Sequence, residues 1–142
     1  MPTRSASAQW EGGLKGGRGS YKGANGLAGQ YNFSSRFEEG PGSNPEELLA
    51  AAEAACFSMA FSGNLEKNGT PPTRVETTAH CTVEKTDAGF TITRMKLDVR
   101  ADVPKIDAAT FQRLANEARD GCPVSRALRG NVDIQVTATL GS

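Results

Sequence analysis

Three cysteines, at positions 56, 81 and 122, are the side chains of this 142-residue chain best suited to nucleophilic chemistry. Each has different neighbours. Cys56 lies in LLAAAEAACFSMAF, an Ala-rich run that is apolar almost all the way round. It reads either as a small buried hydrophobe or as a thiolate that needs a cation beside it. Cys122 stands in Gly-Cys-Pro at the expected start of a helix, where unpaired N–H groups and the positive dipole end lower a thiol pKa. Cys81 alternates with Val75 and Val83 and reads as packing. Cys56 and Cys122, 66 positions apart, suggest a thiolate that attacks and a second thiol that resolves, although spacing does not show that they meet. An odd number of cysteines, no CxxC and no paired Cys/His spacing argue against a disulfide framework and a zinc site.

The groups that could tune a thiolate are few. Arg36 is the first candidate cation, because a guanidinium on the face opposite the aromatics of its segment needs a partner if that side is covered. Arg18, between glycines in a turn, is the alternative and otherwise a solvated charge. Glu47 has a capping role, which leaves Glu46 either solvated in the first helical turn or holding an arginine in a bidentate pair. Glu53, inside the Ala-rich run, is costly to bury unpaired and is expected to face an opening or a partner subunit. The single histidine, His80, points away from the Cys81 face, which gives a cysteine hydrolase little support. GGLKGGRG matches neither GxxxxGK[ST] nor GxGxxG, so no phosphate cradle is expected.

The elements that must position these residues follow from period and punctuation. Asn44 caps a helix from Pro45 to Lys67, with Glu47 closing a capping box and Asn68-Gly69 ending it in a left-handed cap. Before it come a strand carrying Ala6, Ala8 and Trp10, a glycine-rich turn and second strand, and an alternating strand from Gln30 to Phe37 with Tyr31, Phe33, Ser35 and Phe37 on one face. After it, Val75–Val83 and Thr93–Val103 alternate as a long hairpin turning over Lys85–Gly89. Asp107 caps a helix with an apolar stripe of Phe111, Leu114, Ala115 and Ala118. Cys122-Pro123 opens a short helix, and Val132 to Leu140 alternate as a closing strand. The sum is an α+β protein with an antiparallel sheet packed on a long helix, a single domain over residues 1–142.

Sixteen basic and sixteen acidic side chains balance, so no overall field draws in nucleic acid or an anionic membrane. No run of consecutive apolar residues has membrane-spanning length and the start carries no apolar signal segment, so the expected location is the cytoplasm.

NPEELLAAAEAACFSMA, the late GCPVS turn and the early AQWEGGLKGG together resemble the OsmC/Ohr family of thiol-dependent peroxidases. SSRFEEGPGSNPEELL, VEKTDAGFTITRMKLDV and IDAATFQ are similar to its OsmC branch. The resemblance implies that Cys56 is the peroxidatic cysteine, Cys122 the resolving one, Arg36 the cation beside the thiolate and Glu46 the carboxylate that orients it. In the Ohr branch the arginine comes from a position near Arg18. It also implies an intertwined homodimer, with antiparallel sheets wrapped around long central helices, a hydroperoxide substrate, an external thiol or dithiol reductant, and no metal, flavin or haem. Phe57, Met59, Phe61 and Phe33 are expected as helical core or as an apolar wall favouring organic peroxides. The competing readings are a redox sensor using the same cysteine pair and a non-catalytic dimer that binds an apolar ligand.

Overall fold

The structure, a computed structural model, describes residues 1–141 and falls into two compact units, Met1–Leu48 and the chain from Leu49 onward. In the first unit β1 (Ala6–Glu11), β2 (Arg18–Gly23) and β3 (Ala28–Tyr31) form an antiparallel sheet in sequence order. Trp10 and Tyr31 pack with ring centroids 5.5 Å apart. A Cβ on Gly19 would come within 2.6 Å of Tyr31 and 2.7 Å of Trp10, so the aromatic contact requires glycine there.

The strand expected from Gln30 to Phe37 is not formed beyond Tyr31. Residues Phe33–Phe37 make the short helix α1. Asn32 Oδ1 accepts the Ser35 N–H at 2.8 Å and Ser35 Oγ accepts the Asn32 N–H at 2.9 Å, a reciprocal cap. Phe33 and Phe37, read as alternate strand positions, are also four residues apart, which on a helix puts their rings 5.2 Å from each other. Two periods fit the same aromatics, and the cap decides between them.

α2 (Pro45–Lys67) has the predicted bounds. Asn44 Oδ1 accepts the Glu47 N–H at 2.7 Å, but the Glu47 carboxylate accepts from Ser43 Oγ at 3.1 Å, so Ser43 replaces the Asn44 backbone as its partner. The helix ends with Gly69 at φ 83°, its N–H bonded to Glu66 O and the Thr70 N–H to Leu65 O. This is the glycine-capped double hydrogen bond foreseen from Asn68-Gly69. By length and composition α2 could also cross a membrane, contrary to the expectation from consecutive runs. Its Phe57, Phe61 and Leu65 are instead wholly buried in the core of the second unit.

That core lies on a three-stranded sheet of order β4 (Arg74–Thr86), β5 (Gly89–Asp102), β6 (Asp133–Leu140). Met95, Leu97, Val99 and Ala101 alternate on its buried face, as the period-two pattern predicts. α3 (Ala108–Gly121) adds Phe111, Leu114, Ala115 and Ala118. Asp107 caps it by accepting the Thr110 N–H at 2.9 Å. β4 and β5 are antiparallel with a bulge at Thr82/Val83, whereas β6 runs parallel to β5. The wholly antiparallel sheet expected from sequence is therefore corrected. A helical connection between two strands returns the chain to the end from which the first strand started, so the second runs alongside it. α3 and α4 (Pro123–Leu128) supply that return.

Candidate active site

Cys122 is the N-cap of α4, with Pro123 at the first helical position. Its sulfur accepts the Ser125 N–H at 3.4 Å, in the way a serine or aspartate oxygen would cap a helix. Cys122 is wholly buried and Ser125 is 1% exposed. Cys56, half-buried in α2, lies near enough to Cys122 and to the Val124 backbone N–H for both to act on its thiol. Both sulfurs therefore gather at the start of one short helix, each near an N–H that the helix leaves unpaired. None of the three cysteines is in a disulfide. Cys81 lies opposite Met95 on β4, half-buried against the core.

Glu53 completes this cluster. Its carboxylate is wholly buried, accepts a very short hydrogen bond from Ser125 Oγ, and lies 3.9 and 4.0 Å from the Cys122 sulfur. The Cys122 thiol in turn donates to Ser125 Oγ at 3.3 Å. Glu53 thus faces the inside of its own unit, where an opening or a partner subunit was expected. Burial pushes its carboxyl above the ordinary value, against the pull of the Ser125 and Cys122 hydrogen bonds. Burial also pushes the Cys56 thiol up. The Val124 N–H opposes this, while Cys122 and the Glu53 charge add to it. Together these neighbours favour the protonated thiol.

In the first unit Arg36 lies on α1 and Glu46 in the first turn of α2. Arg36 Nε donates to both Glu46 carboxylate oxygens, at 3.0 and 3.3 Å, and Nη2 stands 3.0 Å from Oε1. Glu46 is buried and Arg36 is about one-third exposed, with its guanidinium 5.0 Å from the Phe37 ring centroid. Arg36 is thus not a strand residue pointing away from aromatics; it stacks on one. Arg18, at the start of β2, is 82% exposed, and among the described residues its ion-pair partner is Glu11, at 3.7 Å. His80 pairs with Asp98 at 3.2 Å on an exposed strand face.

Phe57 and Phe61 belong to the core, and Met59 is 80% exposed. Two concavities of about 600 and 710 Å³ line the β1–β3 sheet, and neither is lined by a cysteine. Among the described residues no group of His, Cys, Asp and Glu is arranged to hold a metal ion. Ser125 was not singled out from sequence; its one signal is a Cys-x-x-Ser spacing that places the hydroxyl at the third position of the helix Cys122 caps.

A family model described as OsmC-like protein matches residues 38–137. Peroxiredoxin OsmC of Escherichia coli (strain K12) is 44% identical over 133 residues, spanning 92% of this chain and 93% of that protein. An organic hydroperoxide resistance protein of Xanthomonas axonopodis pv. citri is 35% identical over 99 residues, 69% of this chain and 68% of that protein. The crystal structure of an organic hydroperoxide resistance protein from Elizabethkingia anophelis superposes with a TM-score of 0.76 and 26% identity, covering 99% of this chain and 98% of that one. The family match takes in α2, β4, β5, the first part of β6 and the turn that carries Cys122, so this chain, an oxidoreductase of the peroxidase type, belongs to the OsmC family.

Proposed function

We propose that the protein reduces organic hydroperoxides, and more weakly hydrogen peroxide, as a single OsmC-like domain over residues 1–142 that works as a cytoplasmic homodimer. The nearness of the Cys56 thiol to Cys122, the N-cap of α4, carries this reading. The Cys56 thiolate attacks the distal peroxide oxygen, the O–O bond breaks, and the alkoxide leaves as alcohol on taking a proton. Cys56 is then a sulfenic acid, which Cys122 condenses with to give a disulfide and water. An external dithiol reduces that disulfide by exchange.

Because the groups next to Cys56 on balance hold its proton on, the reaction needs a cation. Arg36, oriented by Glu46, supplies it. Glu46 holds the Nε and Nη2 side of the guanidinium, which leaves Nη1 for a thiolate and stops the side chain from swinging into solvent. Arg18 is the alternative source, with a weaker hold on its partner.

Turnover of cumene hydroperoxide with one dithiol, measured for the wild type and four variants of unchanged circular dichroism, tests this. Cys56→Ser is expected to have no turnover. Cys122→Ser is expected to accumulate a sulfenic acid that a dimedone probe traps. Arg36→Ala is expected to lose about 10²–10³-fold in kcat/KM, the usual cost of removing a preorganised charge-stabilising donor. Arg18→Ala is expected to retain wild-type turnover. A wild type that reacts once and is not recycled would overturn the peroxidase, and loss of turnover in Arg18→Ala but not Arg36→Ala would reassign the cation.

A further inference from the structure

Glu53 differs from the other buried carboxylate, Glu46, in what it touches. Glu46 has a guanidinium, whereas Glu53 has no ion-pair partner among the described residues and bonds only to Ser125 and Cys122. An uncompensated buried carboxylate is costly, and an alanine there would leave both the serine and the thiol still bonded to each other. The charge also acts against the Cys56 thiolate. A group that burdens the first half of a reaction and contacts only the residues of the second half suggests a use in the second half.

We propose that Glu53, acting through the Ser125 hydroxyl, takes the proton from the resolving thiol Cys122 and returns it to the hydroxide that leaves Cys56. This rests on the peroxidase reading. The Cys122 S–H proton passes to Ser125 Oγ as the Ser125 O–H proton passes to Glu53 Oε1. The Cys122 electron pair forms the S–S bond with Cys56, and the S–O bond pair of the sulfenic acid departs with its oxygen. That hydroxide takes the proton from Glu53 and leaves as water. The sulfenic sulfur is reduced, the Cys122 sulfur is oxidised, and no outside electrons enter. Glu53 and Cys56, three residues apart on α2, are neighbours on the helix surface, so the carboxyl lies within reach of the leaving oxygen. The Ser125 N–H, 3.4 Å from the Cys122 sulfur, stabilises the thiolate as the proton goes. Burial raises the Glu53 pKa, which makes its carboxylate a stronger base than an exposed one. The groups facing it are Cys56 on its own helix and Cys122 and Ser125 on the α4 turn.

The test separates the two chemical steps in single turnover. Sulfenic acid formation is followed by peroxide loss and disulfide formation by loss of the dimedone-trappable sulfenic acid, for the wild type, Glu53→Gln, Glu53→Asp and Ser125→Ala. Glu53→Gln is expected to slow disulfide formation about a hundredfold, within the usual range for general-base assistance, and to move its pH profile toward that of an unassisted thiol. It is expected to speed sulfenic acid formation, because a charge opposing the Cys56 thiolate is gone. Ser125→Ala is expected to slow the second step, and Glu53→Asp to restore part of it. Wild-type disulfide formation with an unchanged pH profile in Glu53→Gln overturns the relay, as does an equal slowing of both steps. If the wild type shows no stoichiometric peroxide loss, the peroxidase reading fails, and the relay is judged by Cys122 alone. In a Cys56→Ser background, the rate at which Cys122 reacts with methyl methanethiosulfonate at neutral pH must fall on adding Glu53→Gln, because the base is gone. An unchanged or faster rate overturns it.

Discussion

Glu46 and Glu53 are chemically the same side chain, buried on one helix, and their surroundings give them opposite behaviour. Glu46 holds a guanidinium by three short contacts, so Glu46→Gln loosens Arg36 without removing its charge. The expected loss in kcat/KM, measured at steady state, is about tenfold, smaller than for Arg36→Ala because orientation is lost and the cation is kept. Among the described residues Glu53 has no cation beside it, and its effect is readable in stability. Its folded pKa is raised above the ordinary 4.5, so between those two values the folded chain holds a proton that the unfolded chain has released. Stability therefore falls as pH rises from about 4.5 through the folded pKa, and levels off above it. Glu53→Gln lacks this titration. In urea melts across pH, its stability relative to the wild type is expected to be flat at acid pH and to rise in its favour through that window. The candidate thiols and guanidinium groups could be named from sequence because such groups announce their chemistry by type. Ser125 was not, because its use depends on a carboxylate 72 positions away that only folding brings to it.

Elements were legible where one period and one cap agreed. α2 has an Asn44 cap and a Gly69 terminator, α3 has the Asp107 cap and a clean stripe, and both helices formed; the α3 stripe is buried as expected, whereas on α2 Phe57 and Phe61 are buried and Met59 is not. Residues 33–37 were not, since aromatics at 33 and 37 satisfy both a strand and a helix and the deciding bonds are a pair between Asn32 and Ser35. Strand direction was missed for a different reason. Alternation in Ile134, Val136 and Ala138 says which face is buried and nothing about which way the chain runs; direction is set by the helices before it. The core that fixes α2 centres on Phe61, wholly buried, with Phe57 at 5.6 Å and Phe111 at 5.3 Å between ring centroids. Phe61→Ala is expected to cost about 3–5 kcal/mol, the range for a phenylalanine truncated in a packed core. Chemical denaturation with unchanged m-value checks it. Because Cys56 rides on the same helix, the variant is also expected to lose the close approach of Cys56 to Cys122, seen as slower disulfide formation.

For the whole molecule the open question is what covers its apolar surfaces. Along α2, Ala51, Ala52, Ala55 and Met59 are exposed, Met59 at 80%, and small residues at these spacings allow another helix to come close. β1 is exposed along its whole length, and a three-stranded sheet with so little covered is marginal alone. A second copy of the chain answers both, which is why the proposed function includes a homodimer. Met59→Lys is expected to weaken that dimer, measured by sedimentation over a dilution series, and to lower turnover in parallel. Whether Arg36 serves the Cys56 of its own chain or of its partner is then decided by mixing two inactive variants, Cys56→Ser and Arg36→Ala. If the arginine serves across the interface, half the dimers are hybrids, each with one site having both groups intact, and turnover returns to about a quarter of the wild type. If it serves within one chain, every site in every hybrid lacks one of the two groups and no activity returns. A mixture that stays inactive although subunits demonstrably exchange assigns Arg36 to its own chain, and a fully active monomer removes the interface from the reaction altogether.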